Sequence, residues 1–579
     1  MNVIAKALRF WHTVRWLKPV QVYGRVRFRL AKPRPDLRPA PALRASSDAW
    51  VSPARREQSL VTPTQMRFLD VERDLDLHGW DDKELAKLWR YNLHYFDDLC
   101  AHGAADRVSW HRDLIARWMR ECPPGKGTAW EPYPTSLRIV NWIKWIRAGN
   151  EPVPGMLDSL AAQARFLSKR LEWHLLGNHL FVNAKALVFA GLCFEGAEAD
   201  GWREAGWRIL RAEIPEQILA DGGQFERSPM YHALAVEDML DLLNAMRAWS
   251  GVCAPDDESS VSRRIAPMLE FLDGVTHPDG EISFFNDSAG GVAPTRSELI
   301  AYASRLEYPP VATAPGAAAG VARAREFKAS GFTRLDAGDA VLIVDVGDIG
   351  PDYLPGHAHA DTLSFELSVG GQRILVNSGV SQYGLGPERL RQRGTAAHNT
   401  VTLDGADSSE VWGGFRVARR ARVSGASALV APDGRSASVT GAHDGFLRLP
   451  GGAIHRREWR LSVDGRLAIA DTIADSLADS HEAQGLDGRA ESHWHFAPGF
   501  EVRVDADGGG LCASNRVLTV NLKAEGAEWR VTRSMYHPRF GVSEPIAKVV
   551  ARFNRATTRI FIAWSPCTSS SSPTTSRLK

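Results

Sequence analysis

The sequence predicts an α+β chain of more than one domain, with helices in the first half and antiparallel strands in the second. From about Trp80 to Leu306, apolar residues recur at helical spacing between short turns rich in Gly, Pro and Asn. After the Ala-, Gly- and Pro-rich stretch 309–320, apolar residues instead alternate with polar ones, as in Leu363 to Val369. Because alternation places every second side chain on one face, we expect the second half to form a β-sandwich.

Two glycine-containing pairs support antiparallel strands. Gly370-Gly371 and Asp464-Gly465 each separate two alternating runs. A two-residue hairpin turn needs residues that tolerate a positive φ, and these pairs meet that requirement. Each pair therefore predicts a hairpin.

Size and composition place the chain among globular proteins. Its 579 residues exceed what one hydrophobic core organises, so two or three domains are expected. No apolar run approaches the ~20 residues of a membrane-spanning helix, and a net charge of +2 argues against a nucleic-acid partner. The six cysteines form no CxxC pairs, so we expect buried thiols rather than a zinc ribbon or disulfide framework.

We divide the chain into a basic, aromatic segment (1–75), a helical domain (76–320), a β-domain (321–565) and a disordered, Ser- and Thr-rich tail (566–579). The first segment lacks the apolar core and cleavage site of a secretory signal. An amphipathic helix there could contact a membrane surface, but packing on the helical domain is the favoured interpretation.

Asn178 and His179 precede the apolar run 180–194, so both are expected in the first turn of a helix. A helix start favours negative charge, and an amide beside it can donate a hydrogen bond to a substrate carboxylate. The alternative is that Asn178 only caps the helix.

Tyr231 follows Pro229, which favours the first turn of a helix. A phenol transfers protons only if its phenolate is stabilised, and Arg227, His232 and His179 are candidates for that role. The alternative is a buried tyrosine with a satisfied hydroxyl.

His357 and His359 alternate with alanine in a segment that we interpret as a strand, which would project both imidazoles from one face. One could carry protons and the other could bind a metal. His398 is a further candidate ligand, with Asp361 as a ligand or supporting partner. A purely structural hydrogen-bonded cluster is the alternative.

Taken together, these clusters resemble the heparinase II/III family of polysaccharide lyases along nearly the whole chain. The matching segments include Leu88–Phe96, Trp130–Trp142, Gly177–His179, Glu226–His232, Asn286–Ser288, Gly356–Asp361, His398–Thr400 and Trp412–Arg416. The resemblance implies an incomplete (α/α) toroid followed by an antiparallel β-sandwich. It also implies β-elimination in a uronic-acid-containing polysaccharide.

The resemblance assigns roles by position. Asn178 would neutralise the uronate, Tyr231 would act at the proton transfer, and His357 would be its partner across the domain boundary. His359 and His398 match positions that help to hold a divalent metal, zinc or calcium. The family's aspartate is replaced here by Asn377, a poorer ligand for a dication, and no organic cofactor is expected.

For binding the acidic polysaccharide we select Trp130, Arg138, Glu226, Arg227 and His232, the arginines through charge-assisted hydrogen bonds and the tryptophan through stacking.

Two rival functions stay open. A glycoside hydrolase on the same scaffold would need opposed carboxylic acids, such as Glu226 with Asp361 or Asp287. A non-catalytic glycan-binding or exopolysaccharide-assembly protein would use the same aromatics without turnover. The resemblance suggests a periplasmic location, whereas the missing signal leaves a cytoplasmic or membrane-peripheral one open. The sequence does not indicate an oligomeric state.

Overall fold

The computed structural model describes residues 3–47, 49–309, 320–474, 488–506 and 508–567. Helices fill the first half and antiparallel sheets the second, as predicted. The expected disordered tail lies outside the described residues from position 568 onward. The predicted division into four segments stays a prediction.

The α-helices of the described residues are α1 (Val3–Val14), α2 (Pro19–Leu30), α3 (Leu75–His78), α4 (Lys87–Leu93), α5 (Val108–Glu121), α6 (Pro132–Arg147), α7 (Met156–Ser168), α8 (Gly177–Cys193), α9 (Ala197–Gln217), α10 (Pro229–Ala248), α11 (Pro255–Gly274), α12 (Arg296–Arg305) and α13 (Pro387–Arg393). The strands are β1 (Gln65–Phe68), β2 (Val71–Asp74), β3 (Arg323–Phe327), β4 (Phe332–Ala337), β5 (Ala340–Asp345), β6 (Phe365–Val369), β7 (Gln372–Leu375), β8 (Val401–Leu403), β9 (Val411–Trp412), β10 (Arg416–Val417), β11 (Val423–Val430), β12 (Ser436–His443), β13 (Ile454–Ser462), β14 (Arg466–Ala474), β15 (Ala490–His495), β16 (Glu501–Val504), β17 (Gly510–Ser514), β18 (Leu518–Glu525), β19 (Ala527–Tyr536), β20 (Glu544–Phe553) and β21 (Thr557–Pro566).

Helices α5 to α12 pack pairwise into the incomplete (α/α) toroid, with α8 contacting α6, α7, α9 and α10. The centre of this packing is aromatic: Trp118 meets Trp142 edge-on at 5.5 Å between ring centroids and stacks on Trp130 at 6.1 Å. Large fully buried rings of this kind fix the angles between helices, because they leave no room for neighbouring helices to slide.

The β-half is a sandwich of two layers. One layer is the eight-stranded antiparallel sheet β11-β12-β13-β14-β21-β18-β17-β16. The other combines the five-stranded sheet β3-β4-β5-β6-β7 with the four-stranded sheet β19-β20-β15-β8, joined by a bridge between Leu375 and Phe496. Phe365 lies where the sheets meet, 5.6 Å from Trp494 and 6.4 Å from Trp459, measured between ring centroids.

Both predicted hairpins are present. Gly370 and Gly371 connect β6 to β7 with φ values of 56° and 82°, and Gly465, with φ of 79°, lies in the turn between β13 and β14. Positive φ at these positions is the reason that the turns contain glycine.

One local prediction is wrong. The segment that carries His357 and His359 is an irregular run of turns between β5 and β6, not a strand. Its backbone is held by loop hydrogen bonds, including the amide of Ala360 to the carbonyl of Arg393 (2.9 Å). The alternating histidines and alanines therefore do not mark a strand, although both imidazoles still converge, as described below.

Helices α1 and α2 bridge the two halves. On α1, Thr13 Oγ1 accepts a hydrogen bond from Trp412 of β9 (3.0 Å). On α2, Gln21 donates to the carbonyl of Tyr353 (3.1 Å), and Phe28 packs on His174 at 4.3 Å. The contact with the β-half was not expected from the sequence. None of the helices in the described residues is long and apolar enough to span a bilayer.

Replacing Phe365 by Ala should lower the free energy of unfolding by about 3–5 kcal/mol, because it leaves a cavity where the sheets meet. The matched control is Phe561→Ala on β21, whose side chain is 41% exposed and should change stability by about 0.5 kcal/mol or less. Chemical denaturation would measure both. Equal effects would contradict the role assigned to Phe365.

Candidate active site

A cleft of about 1620 Å³ lies between the helical half, the β-half and the α1–α2 pair. It is the candidate active site because polar groups from both halves face it. Those from the helical half include Tyr91, Tyr133, Asn178, His179, Glu226 and Tyr231, and those from the β-half include His357, Tyr383 and Arg416.

The first turn of α8 positions Asn178 and His179, as predicted. Gly177 adopts a φ of 51° there, and a Cβ at this position would lie 2.3 Å from the side chain of Leu354. Only glycine lets the helix start approach the β-half so closely. Asn178 Nδ2 donates to the hydroxyl of Tyr133 (3.1 Å), which orients the amide in the cleft.

His179 is held by Glu172, with 3.1 Å between Nδ1 and Oε1. Burial opposes the charge of the imidazolium, but the Glu172 carboxylate outweighs burial and raises the pKa of His179. The charged form of the imidazole is therefore favoured next to the Asn178 amide, at the start of a helix that already favours anions. This corner of the cleft suits a carboxylate.

Tyr231 and His357 meet across the boundary between the halves. Their ring centroids are 4.0 Å apart, and the Tyr231 hydroxyl lies 3.1 Å from that of Tyr383. Burial raises the pKa of Tyr231 well above its usual value. The phenol is therefore neutral in the free protein and available as a proton donor.

Asp287 is the partner that both imidazoles share. One carboxylate oxygen lies 2.9 Å from His357 Nδ1 and the other 2.8 Å from His359 Nε2, and Arg389 contacts both oxygens. Burial opposes ionisation, but Arg389 and the imidazoles outweigh it and lower the pKa of Asp287 well below its usual value. With Nδ1 engaged by this carboxylate, Nε2 is the ring nitrogen of His357 that is left for a ligand in the cleft.

Glu226 lines the cleft beneath His357. Its Oε2 lies 3.9 Å from His357 Nε2 and has no hydrogen-bond partner among the described residues. Burial raises the pKa of Glu226. The neutral acid is therefore favoured, which avoids repulsion of an anionic ligand.

Four of the predicted substrate-binding residues do not reach the cleft. Trp130 and Arg138 are core residues; the Arg138 guanidinium lies 3.9 Å above the Trp118 ring and donates to Gln163 (2.9 Å). Arg227 turns away to the carbonyls of Asp348 and Ala329, and His232 donates to the carbonyl of Met268 (2.9 Å). None of these four side chains lines the cleft in this structure. Their predicted roles in substrate binding stay predictions.

The β-half contains a compact candidate metal site. One ligand atom each from His359, Asp361 and His398 lies within 4.8 Å of the others, and His359 Nδ1 is 3.2 Å from His398 Nε2. Burial lowers the pKa of His359 to about 4 and that of His398 well below its usual value, so both imidazoles are neutral. Neutral imidazoles and a carboxylate are suitable ligands for a divalent metal.

Asn377, the third residue predicted at this site, has its side-chain oxygen engaged by the backbone. Its Oδ1 accepts a hydrogen bond from the backbone amide of Asn399 (3.1 Å). The carboxylate near the imidazoles is Asp361, and burial raises its pKa to about 6. The structure thus favours Asp361 over Asn377.

Sequence reasoning missed several residues of the cleft. It named Asp287 only as a hydrolase acid, although Asn286-Asp287-Ser288 was among the family-like segments. It did not single out Tyr383, Tyr133 or Arg389, since isolated tyrosines and arginines carry no spacing signal that separates cleft residues from others. Only the fold brings them to His357 and Asn178.

Replacing Asp287 by Asn should lower the free energy of unfolding by about 3–5 kcal/mol, because Arg389 would keep a buried charge without its partner. In the native protein the ionised Asp287 stabilises the folded state. This stabilisation is complete above the unfolded-state pKa of about 4 and is lost as the pH falls towards the lower folded-state pKa. Chemical denaturation across this pH range would measure both effects. The control, Asp464→Asn, changes a carboxylate that is 44% exposed; a similar loss in both variants would contradict the argument.

Comparisons with known proteins agree with this architecture. The family model described as the heparinase II/III N-terminus matches residues 57–306, and the heparinase II/III-like C-terminal model matches residues 319–573. A heparin-sulfate lyase of Pedobacter heparinus is 28% identical over 372 residues, which are 58% of this chain and 55% of that protein. One of Bacteroides stercoris is 28% identical over 381 residues, 57% and 56% of the two chains. The chain therefore spans about half the length of the curated relatives it matches.

Solved structures show the same fold. A crystal structure of heparinase III superposes with a TM-score of 0.65 at 18% identity, covering 85% of this chain and 79% of that one. The heparan sulfate lyase of Pedobacter heparinus gives a TM-score of 0.57 at 18% identity, covering 98% and 89%. With both family models matched in order along a toroid and a β-sandwich, the chain belongs to the heparinase II/III family.

Proposed function

We propose that the chain is a polysaccharide lyase that cleaves a uronic-acid-containing polysaccharide by β-elimination. The observation that carries this proposal is the convergence of Asn178, Tyr231 and His357 on one cleft, with Asp287 behind His357. The names of the curated relatives, heparin-sulfate lyases, support the same reaction and a glycosaminoglycan-like substrate.

The uronate carboxylate would bind at the start of α8. Asn178 Nδ2 and the cationic His179 are the donors, and the helix dipole favours the anion. As the proton beside the carboxylate leaves, charge builds on the carboxylate oxygens. The same hydrogen bonds then strengthen, which lowers the barrier in the manner of an oxyanion hole.

His357 is the group that we assign as base. Its Nδ1 is engaged with Asp287, so Nε2 would take the C5 proton of the uronate, and the Asp287 carboxylate would stabilise the resulting imidazolium. The electron pair of the broken C–H bond forms the C4–C5 double bond.

Tyr231 is the group that we assign as acid. Burial keeps the phenol protonated, so it can donate its proton to the glycosidic oxygen as the C4–O bond breaks. Tyr383, 3.1 Å away, can donate a hydrogen bond to the phenolate that remains. After product release, His357 gives its extra proton to solvent and the Tyr231 phenolate takes one from solvent.

A hydrolase is disfavoured by the same geometry. It would need two opposed carboxyl groups in the cleft. Of the three carboxylates considered, Glu226 lines the cleft, whereas Asp287 and Asp361 are buried behind the imidazoles and are committed to Arg389 and to the backbone amide of Asn286.

We also propose that His359, Asp361 and His398 bind one divalent metal. Two neutral imidazoles and a carboxylate suit zinc better than calcium, which prefers oxygen ligands. Asp287 on the far nitrogen of His359 supports this assignment, because it orients the ring with Nδ1 towards the site. The metal would supply rigidity to the 357–361 segment and so help to fix His357.

Tyr231→Phe and His357→Ala should each abolish the formation of the ultraviolet-absorbing unsaturated uronate, because each variant lacks one of the two proton-transfer groups. Affinity for the acidic polymer should largely remain, since neither group holds the carboxylate. Absorbance assays over a set of uronate-bearing polysaccharides, with binding measured by calorimetry, would test this.

The matched control is Tyr308→Phe, which removes a hydroxyl bonded to the carbonyl of Ser262, away from the cleft. It should retain full activity. Turnover in the Tyr231 or His357 variant at the native rate would refute the assignment, and native protein that binds but never turns over any uronate polymer would instead indicate a glycan-binding protein.

The purified protein should contain about one zinc per chain by mass spectrometry, and His398→Ala should lose it, because two ligands hold zinc far more weakly than three. Chelation should also lower the melting temperature of the native protein but not of the variant. His78→Ala, in which the replaced imidazole is 35% exposed, serves as the control. Metal-free native protein with unchanged stability would contradict the proposed site.

A further inference from the structure

We propose that the helix pair α1–α2 docks the protein on the surface of an anionic lipid bilayer. The docking surface consists of Ile4, Leu8 and Trp11 on α1 and of Tyr23, Arg27 and Leu30 on α2, and is called the outer face below. The proposal depends on three independent properties of this pair: its exposed apolar side chains, its charge and its fixed orientation.

The outer face is apolar and exposed. Ile4, Leu8 and Trp11 are 69%, 51% and 58% exposed, and Tyr23 and Leu30 are 60% and 77% exposed. Residues at i, i+4 and i+7 share one side of a helix, so each trio forms a stripe. Of the 22 large apolar side chains that are exposed in the described residues, ten lie before residue 38; four of these line the cleft, and the other six are the five apolar outer-face side chains and Leu37. Such concentration marks an interaction surface.

The helix pair is also the most cationic part of the chain. Nine Lys and Arg residues and no Asp or Glu precede Asp36, so the remaining 544 residues carry a formal charge of −7 against the total of +2. Among the described residues, Arg9 and Lys18 are the members of this set that form salt bridges, with Glu410 and Glu216. Two of the other cations, Arg25 and Arg29, line the cleft. The remaining five are available to anionic headgroups, and each adds to membrane attraction.

The apolar stripe cannot turn inward, because the opposite side of α1 is already in use. Arg9 and Thr13 on α1, and Trp16 in the turn that follows it, contact the β-half. Arg9 lies 4.0 Å from Glu410, Thr13 accepts from Trp412, and the guanidinium groups of Arg420 and Arg422 lie 5.3 and 5.6 Å from the Trp16 ring. Because these contacts hold one side of α1 against the β-half, the outer face points towards solvent.

The chemistry of the outer face favours lipid over polysaccharide. Sugars stack on aromatic rings and pair with cations, but Ile4, Leu8 and Leu30 gain free energy only when an apolar phase removes them from water. None of the outer-face residues on α1 lines the cleft. An in-plane amphipathic helix with Trp and aliphatic side chains on one side and Lys and Arg beside them is typical of interfacial binding.

Sedimentation with vesicles tests the proposal on the full chain. Vesicles of equal parts phosphatidylglycerol and phosphatidylcholine should bind the native protein, and raised salt should weaken binding. The variant Ile4→Glu/Leu8→Glu/Trp11→Glu should bind at least about tenfold more weakly. It lacks the three apolar side chains that would insert into the bilayer, and it adds three negative charges that the anionic headgroups repel. Pure phosphatidylcholine should bind far less than the anionic vesicles.

The matched control is Leu429→Glu on β11, where the leucine is 69% exposed like Ile4; it should bind vesicles as the native protein does. For charge, Lys6→Ser/Arg15→Ser/Arg27→Ser should weaken binding, whereas Arg466→Ser/Arg503→Ser/Arg530→Ser should not. Circular dichroism would confirm that all variants fold.

Three results would overturn the proposal: no sedimentation of native protein with anionic vesicles, equal binding by the Ile4/Leu8/Trp11 variant, or loss of affinity for an acidic polysaccharide in that variant without vesicle binding by the native chain. The last result would assign the helix pair to substrate. Cleavage of soluble oligosaccharides should be unchanged in the outer-face variant, so failure of this proposal and failure of the lyase proposal are distinguishable.

Discussion

The site depends on the contacts of one buried carboxylate, that of Asp287. It contacts Arg389 and, through its two oxygens, the imidazoles of His357 and His359. A buried carboxylate can stay ionised here because the guanidinium of Arg389 compensates for the lost hydration. The same ionic contact therefore stabilises the junction of the halves and orients the imidazole that faces the cleft.

Burial sets the protonation of the remaining groups in directions that fit one another. It raises the pKa of Tyr231 and of Glu226, which favours their neutral forms, whereas Glu172 raises the pKa of His179, which favours the charged imidazole. The cleft thus favours positive charge at the start of α8 and uncharged acids beside His357. The difference arises because the pKa values of Tyr231 and Glu226 are shifted by burial, whereas that of His179 is shifted by a neighbouring carboxylate.

Periodicity predicted the helical and sheet halves, because side-chain spacing directly reflects the period of each backbone. It also located Asn178 and Tyr231 at helix starts, where Gly and Pro give local signals. It could not separate Trp130 and Arg138, which lie in the core, from cleft residues, since aromatic and basic side chains occur in both. The convergence of Asp287, Tyr383 and His357 depends on contacts between distant segments, and sequence spacing carries no information about those.

The division of the cleft between the two halves also affects how the proposed lyase activity could be lost. Tyr231 belongs to α10, whereas His357 belongs to the loop before β6, and a close approach at Gly177 and Leu354 holds these parts together. A small slip between the toroid and the sandwich would separate the two rings while each half kept its own core. Mild heat could therefore stop the proposed turnover before either half unfolds. A native circular dichroism spectrum would then not show that the two rings are still in contact.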